Sequence, residues 1–389
     1  ACKEGRHGPL RAGAHAGLSP QPAEAIDCRS TEAPRILIWQ RLRLAHSVCV
    51  CLWLRLDLIN TVWGQGSQIS QTSRVAKTKS LLLLFLLNIL NATCQSESII
   101  VGAERTSLYF QQLKGKRIGF VANQTSKIKN DHLVDILLNE GVNIVKVFSP
   151  EHGFRGNADA GAKVRDEIDL QTGLPIYSLY GKSRRKPSKE VLKDIDLILF
   201  DLQDVGVRFY TYISTLHYIM EACAEKNIPL IVLDRPNPNG HFIDGPVLEK
   251  DCKSFVGMHP VPIVYGMTIG EYAQMINGEG WLTNQIKCHL KVIKIKNYTH
   301  KTHYELPLRP SPNLPNSKAI ALYPSLCLLE PTVISVGRGT EMQFQIFGHP
   351  NLPKSKFNFT PKPNLGAKYP KLENKICNGV DLRLSLIHI

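Results

Sequence analysis

Ile195-Asp196-Leu197-Ile198-Leu199-Phe200-Asp201-Leu202-Gln203-Asp204 is the stretch on which the fold reading turns. Residues 195–200 are the strongest strand signal in the chain, and the unbroken apolar run Leu197-Ile198-Leu199-Phe200 within them suits a strand covered on both faces. The aspartate that ends it is costly to bury unless it is hydrogen-bonded or functional. The same pattern recurs. Residues 143–148 run into Ser149-Pro150-Glu151-His152-Gly153-Phe154-Arg155-Gly156, and residues 230–233 into Asp234-Arg235-Pro236-Asn237-Pro238-Asn239-Gly240. Residues 117–122 end at Asn123-Gln124-Thr125. Helical patterns lie between these runs. Leu133, Ile136 and Leu137 share a face behind a cap at Asn130 or Asp131, and Ile213, Leu216, His217, Met220 and Cys223 form one stripe within residues 210–226. Strands are also expected at 174–180 and 291–296, a helical turn at 187–193 and a helix at 268–279. Alternating strands and helices predict βαβ units wound into one parallel sheet of an α/β fold. The carboxyl ends of such strands share one edge, where ligands bind. Acids, arginines and tyrosines gathered there predict a site for a polar substrate.

The chain of 389 residues has room for two domains. We place the wound-sheet domain at 98–300 and a smaller α+β domain at 301–389. The latter reads as partial, because the sequence stops at Leu384-Ser385-Leu386-Ile387-His388-Ile389 without a closing helix. A hydrophobic fraction of 43% and a charged fraction of 21% are ordinary for a globular protein. The formal charge of +14 invites a nucleic-acid reading. Much of it falls before residue 95, however, and the basic run Lys182-Ser183-Arg184-Arg185-Lys186 comes with no RNP, helix-turn-helix or zinc-finger spacing. Nucleic acid is not an expected partner.

No methionine precedes Met220, and residues 1–74 show no sustained period; we read them as a non-native or unstructured leader. Val75-Ala76-Lys77-Thr78-Lys79 followed by an apolar core at 80–90 and Asn91-Ala92-Thr93-Cys94 reads as a secretory signal over 75–94. Its apolar part is short for a bilayer span, so no integral membrane segment is expected. These features predict an extracytoplasmic protein, either cleaved near Cys94 or lipid-anchored there. Cys223, Cys252, Cys288, Cys327 and Cys377 are odd in number and lack a C-x-x-C spacing, which indicates neither a metal site nor a disulfide framework.

Glu151 is the first catalytic candidate. A carboxylic acid that donates a proton at neutral pH needs partial desolvation or a neighbouring carboxylate, and a loop at a strand's end supplies access to a cleft. An ion pair with Arg155 that merely pins the loop is the alternative. Asp201 and Asp204 are the next candidates, followed by Gly206, Arg208, Tyr210 and Tyr212, which offer a cation and two phenols for carboxylate and hydroxyl recognition. The alternative is a structural network capping the helix that follows. Asp234 and Arg235 precede a rigid Pro-Asn-Pro turn, where an acid–base pair can equally brace the loop. Asn313 and the glycine-flanked Arg338 are candidates from the second domain. No G-x-G-x-x-G, P-loop or H-E-x-x-H motif occurs, so no cofactor or metal is expected. Ser126–Lys129 and Ser183–Lys186 match S-x-x-K without its S-D-N or K-T-G partners.

Together these segments resemble a family long catalogued as a domain of unknown function, whose characterised members are NamZ-type exo-β-N-acetylmuramidases. Pro312-Asn313-Leu314-Pro315, Tyr323-Pro324-Ser325-Leu326 and Ser335-Val336-Gly337-Arg338-Gly339-Thr340 resemble it in the same order, and the likeness runs from about residue 100 to 380. It implies a bacterial, extracytoplasmic glycoside hydrolase with a Rossmann-like domain, a smaller C-terminal domain and a cleft between them. Such enzymes release N-acetylmuramic acid from the non-reducing end of peptidoglycan-derived chains. On that resemblance Glu151 is the catalytic residue, Asp201, Asp204 and Asp234 are candidates to act opposite it, and His152, Arg155, Arg208, Tyr210, Asp234, Arg235, Asn313 and Arg338 line the sugar pocket. Asn123, at the end of its own strand run, is a further substrate-binding candidate. The chain departs from the family at Glu330-Pro331-Thr332-Val333, where the family usually reads Glu-Gly-Thr-Asn. Two other classes stay open: a muropeptide-binding protein without activity, and a serine acyl hydrolase.

Overall fold

Burying a parallel strand requires apolar cover on both faces, and the alternation of side chains here supplies it. In the computed structural model, which describes residues 98–151, 153–155, 166–181 and 185–383, the strands in chain order are β1 (Ile118–Ala122), a hairpin of β2 (Lys127–Ile128) and β3 (Asp131–His132), β4 (Ile144–Ser149), β5 (Glu167–Ile168), β6 (Pro175–Ser178), β7 (Leu197–Asp201), β8 (Leu230–Leu233) and β9 (Leu290–Ile293). A central seven-stranded sheet has the order β5-β6-β4-β1-β7-β8-β9. Its pairs are parallel except that β5 runs antiparallel to β6. From β1 the chain winds outward through β4 and β6, returns to β7 on the other side of β1, and winds outward through β8 and β9. This is the dinucleotide-type winding, with its reversal between β1 and β7, on a chain that lacks the glycine fingerprint.

Helices α1 (Phe110–Leu113), α2 (Leu133–Asn139), α3 (Tyr212–Lys226) and α4 (Ile269–Gly278) accompany these strands. Val121, Ile198, Phe200, Leu230 and Val232 point into one core with Ile213, Leu216 and Met220 of α3 and Tyr272 and Ile276 of α4. The alternate residues Phe120, Leu197, Leu199, Ile231 and Leu233 enter the opposite core with Leu113, Leu133 and Leu137. At about 1.5–3 kcal/mol for each large apolar side chain buried, these two layers are the main stabilising element of the sheet.

The cap of α2 differs from expectation. His132 takes that place, its Nδ1 accepting from the Val134 N–H at 3.2 Å. Asp131 and His132 pair with Lys127 and Ile128 and so remain extended up to the first helical residue. The expected helical turn at 187–193 is a set of turns instead. Thr268 and Glu271 cap α4 reciprocally, a capping box.

Beyond these elements, α5 (Ser317–Leu326) precedes a three-stranded antiparallel sheet of β10 (Ile346–His349), β11 (Asn358–Phe359) and β12 (Cys377–Asp381), ordered β10-β12-β11. It has a small core of Ile346, Phe359 and Cys377. Leu314, Ile320, Tyr323, Val336 and Phe344 join the α3 face of the large core, and the described residues form one unit. Among the described residues no helix is long and apolar enough to cross a membrane. Cys223, Cys288 and Cys377 are buried, Cys327 is partly buried and Cys252 is exposed, and all five are free. The leader at 1–74, the signal at 75–94, Cys94, His152, Ser183 and residues 384–389 lie outside the described residues.

Candidate active site

A cavity of about 660 Å³ opens at the carboxyl edge of the sheet, within the range of about 300–1,000 Å³ usual for ligand pockets. The loop after β4 contributes Glu151, the segment after β6 contributes Tyr180, and the approach to α3 contributes Phe209, Tyr210 and Thr211. The later part of the chain contributes Ser311, Asn313, Tyr323, Glu330, Arg338 and Phe344. Four of the residues expected from sequence therefore meet here: Glu151, Tyr210, Asn313 and Arg338.

Glu151 follows Pro150 in a turn closed by Gly153, whose N–H bonds the Pro150 carbonyl at 3.2 Å and whose φ of 79° suits glycine. The Thr211 hydroxyl donates to Glu151 Oε2 at 3.2 Å, and Tyr180 is also hydrogen-bonded to this carboxylate. Burial, and then the Glu151 charge, push the Tyr180 phenol up to about 12, so it stays a donor at neutral pH. Arg338 is gripped by Glu330, with Nε to Oε1 at 2.5 Å and Nη2 to Oε2 at 3.2 Å, and its guanidinium lies 5.0 Å from the Phe344 ring centre. Burial lowers the Arg338 pKa, but the Glu330 contacts more than offset this and hold it above the ordinary value. Its Nη1 has no hydrogen-bond partner among the described residues. Gly337 and Gly339 both have φ of 80°. A Cβ on Gly337 would fall 2.6 Å from Ile346, and one on Gly339 2.6 Å from Pro370. The loop that presents Arg338 thus requires both glycines.

Tyr210 borders the cavity with its ring, while its hydroxyl donates to the Pro310 carbonyl at 2.9 Å. Asn313 donates to the Gly366 carbonyl at 2.9 Å, and its buried Oδ1 has no partner. Phe209, Tyr323 and Phe344 pack edge to face, Tyr323 with Phe344 at 4.8 Å, and give the wall an apolar aromatic surface.

The other candidates lie outside this lining. Asp201 is fully buried, and both of its oxygens are taken by Arg235, at 2.5 Å from Nε and 2.8 Å from Nη2. Burial raises the Asp201 carboxyl while Arg235 pulls it down. Asp204 accepts from the Gly206 N–H at 2.7 Å and from the Tyr265 hydroxyl, and burial pushes it up to about 7. Its Oδ1 is buried without a partner. Asp234 accepts from the Gly270 N–H and the Thr268 hydroxyl, at 2.8 and 2.9 Å, at the start of α4; burial pushes it up to about 7 as well. Asn123 is spent in a local turn, donating to the Tyr212 hydroxyl at 2.7 Å and accepting from Thr125. Arg208 donates to the Pro246 and Val261 carbonyls, and Arg155 forms a bidentate pair with Asp169 rather than with Glu151. The common rim expected from the strand ends therefore divides into a cavity wall and a layer of internal braces.

Sequence reasoning singled out neither Tyr180, Thr211, Ser311 and Tyr323 nor Glu330 as site residues. Tyr180 has the same signal as Glu151, a polar group just past a strand run. Glu330 carries only its position ahead of the glycine-flanked arginine. Val333, in place of the family's asparagine, is 67% exposed, whereas Glu330 and Pro331 border the cavity. Ser126 of the first S-x-x-K match is buried, with its hydroxyl hydrogen-bonded to the Asp201 carbonyl. Among the described residues no group of three His, Cys, Asp or Glu side chains converges to hold a metal ion.

Residues 118–318 match the N-terminal part, and residues 321–388 the C-terminal part, of the exo-β-N-acetylmuramidase NamZ. The chain belongs to the NamZ family. It is 43% identical over 300 residues, covering 70% of this chain and 69% of the relative, to the peptidoglycan β-N-acetylmuramidase NamZ of Bacillus subtilis (strain 168). Its fold is similar to two crystal structures of DUF1343 family proteins from Bacteroides fragilis NCTC 9343. The first has a TM-score of 0.68 and 52% identity over 74% of this chain and 77% of that one. The second has a TM-score of 0.64 and 35% identity over 73% and 76%. The two NamZ matches meet near residue 320, at the start of α5, and the cavity draws its walls from both.

Proposed function

We propose that this chain is an exo-acting glycoside hydrolase that releases N-acetylmuramic acid from the non-reducing end of peptidoglycan fragments. Within the NamZ family, the observation that carries this reading is Glu151 and Arg338 facing one cavity from the two matched regions. Glu151 acts as the general acid. It gives its proton to the glycosidic oxygen as the bond from that oxygen to the anomeric carbon breaks, and water supplies the hydroxyl that ends on that carbon, its other proton restoring the Glu151 carboxyl. Thr211 and Tyr180 hold the carboxyl in place. The free Nη1 edge of Arg338 takes the lactyl carboxylate that distinguishes muramic acid from glucosamine, a charge-assisted contact. The aromatic wall covers the sugar ring, with Tyr210 and Asn313 completing the substrate contacts. Asp201, Arg235, Asp204, Asp234, Asn123 and Arg208 serve this site from beneath, by fixing the strand ends that carry it. The reading as an extracytoplasmic protein, with Cys94 as its candidate lipid-anchor position, rests on the signal at 75–94 and on the location of peptidoglycan.

The test is incubation with N-acetylmuramyl-β-1,4-N-acetylglucosamine and with a chromogenic N-acetylmuramide. Release of free N-acetylmuramic acid is expected. Binding of the disaccharide without release would assign the chain to wall recognition instead.

A further inference from the structure

A second cavity, of about 650 Å³, opens on the same edge of the sheet. The same two chain segments contribute to both. Residues 308–314 contribute Leu308 and Arg309 to the second and Ser311 and Asn313 to the first, and the loop after β4 places Glu151 in the first and Arg155 in the second. This shared strap is fixed at Pro310, whose carbonyl accepts from Gln124 Nε2 at 3.1 Å and from the Tyr210 hydroxyl at 2.9 Å. A ligand seated against Glu151 therefore has a neighbouring hollow into which its continuation can extend.

The chemistry of that hollow is specific. Arg155 is neutralised by Asp169 at 2.6 Å. Lys127 and Arg309 line the cavity with no ion-pair partner among the described residues. The acids on the wall are Asp131 and Asp135, the latter accepting from Gln171 at 3.3 Å. Gln124 also lines it, and its Oε1 is a buried acceptor without a partner. Two cations outside any ion pair, beside the Asp131 and Asp135 carboxylates as acceptors, suit a ligand that carries both a carboxylate and hydroxyl or amide donors.

We infer that the second cavity is a leaving-side subsite for a carboxylated saccharide, the next muramic residue of the glycan being shortened. Its lactyl carboxylate meets Lys127 and Arg309, and the Asp131 and Asp135 carboxylates accept from sugar hydroxyls. This rests on the hydrolase reading. In an alternating glycan the next lactyl group is two sugars beyond the terminal one, so a disaccharide cannot reach this subsite and a tetrasaccharide can. Arg309 is exposed, and exposed ion pairs are individually weak, so the two contacts together correspond to a preference of about five- to tenfold.

The experiment compares kcat/KM for N-acetylmuramyl-N-acetylglucosamine and for the tetrasaccharide of two such units. The wild-type chain and the Lys127→Ala/Arg309→Ala variant are assayed on both. The wild type is expected to favour the tetrasaccharide by about five- to tenfold through KM. The variant should lose that preference while its disaccharide turnover, which reports on folding, is unchanged. Arg309→Lys, which keeps the charge, should retain most of the preference. Equal use of both substrates by the wild type, or an intact preference in the double variant, overturns the subsite alone. Failure of the wild type to release sugar from either substrate overturns the hydrolase reading beneath it.

Discussion

Glu330 holds Arg338 by two hydrogen bonds, of 2.5 and 3.2 Å, at the wall of the cavity that also contains Glu151. A planar guanidinium fixed along one edge presents its other edge in a single orientation, which a mobile cation would not. The Glu330→Gln substitution removes the charge that fixes it. Hydrogen bonds to charged groups are worth about 1.5–3 kcal/mol, so KM for a chromogenic N-acetylmuramide should rise roughly ten- to a hundredfold, with a smaller effect on kcat. Turnover of the matching N-acetylglucosaminide, which lacks the lactyl group, should not fall in parallel. Equal losses on the two substrates would place Arg338 elsewhere in the mechanism.

Glu151→Gln keeps the shape and the Thr211 contact but cannot deliver a proton. General acid catalysis contributes about 10²–10⁴-fold, and kcat should drop by that order while the thermal unfolding midpoint stays close to that of the wild type. Near-normal turnover would remove Glu151 from the chemistry.

The Asp201–Arg235 pair predicts a different phenotype. Both side chains are buried, at 0% and 6% exposure, so removing the acid leaves a guanidinium uncompensated in the interior. Losing one partner of a buried pair costs about 3–5 kcal/mol. Asp201→Ala should therefore shift the urea unfolding midpoint strongly downward, and Asp201→Leu combined with Arg235→Met should recover part of the loss. Full activity loss in Asp201→Ala with unchanged stability would indicate direct chemistry instead.

A buried histidine pair contributes one of two opposing terms to the pH dependence of stability. His217 Nδ1 and His259 Nε2 are 2.9 Å apart, and His259 Nδ1 meets the Tyr272 hydroxyl at 3.0 Å with Trp281 stacked 4.7 Å away. Burial lowers the two imidazoles from 6.5 to about 4 and about 3. Between those values and 6.5 the unfolded chain binds protons that the folded chain does not, so stability falls as pH falls through this window. Asp204 and Asp234, raised from 3.8 to about 7, act oppositely: the folded chain retains protons there, and their contribution is lost as pH rises through about 7. His259→Gln should flatten the acid limb of a plot of unfolding free energy against pH by about one proton. A slope identical to that of the wild type would show that His259 does not titrate on unfolding.

The wound sheet was legible because its signals are local. Runs such as residues 195–200 carry their burial in their own composition, and the Gly153 turn that exposes Glu151 is written beside it. The cap of α2 was not legible, because the hairpin pairing of Asp131 and His132 with Lys127 and Ile128 overrides the helix-capping preference of Asn130 and Asp131. The cavity wall was legible only in part. Asp201 and Glu151 look alike as acids at strand ends, yet one meets Arg235, 34 residues away, and the other meets Thr211, 60 residues away.

The sequence by itself determined that polar groups would gather on one edge of a parallel sheet, since strands wound in the same sense must all end there. Only the tertiary structure decided which of those groups face the cavity and which brace the interior. A carboxylate that is wholly buried with both oxygens held by a guanidinium is out of a sugar's reach, and that partnership between distant residues has no local trace in the chain.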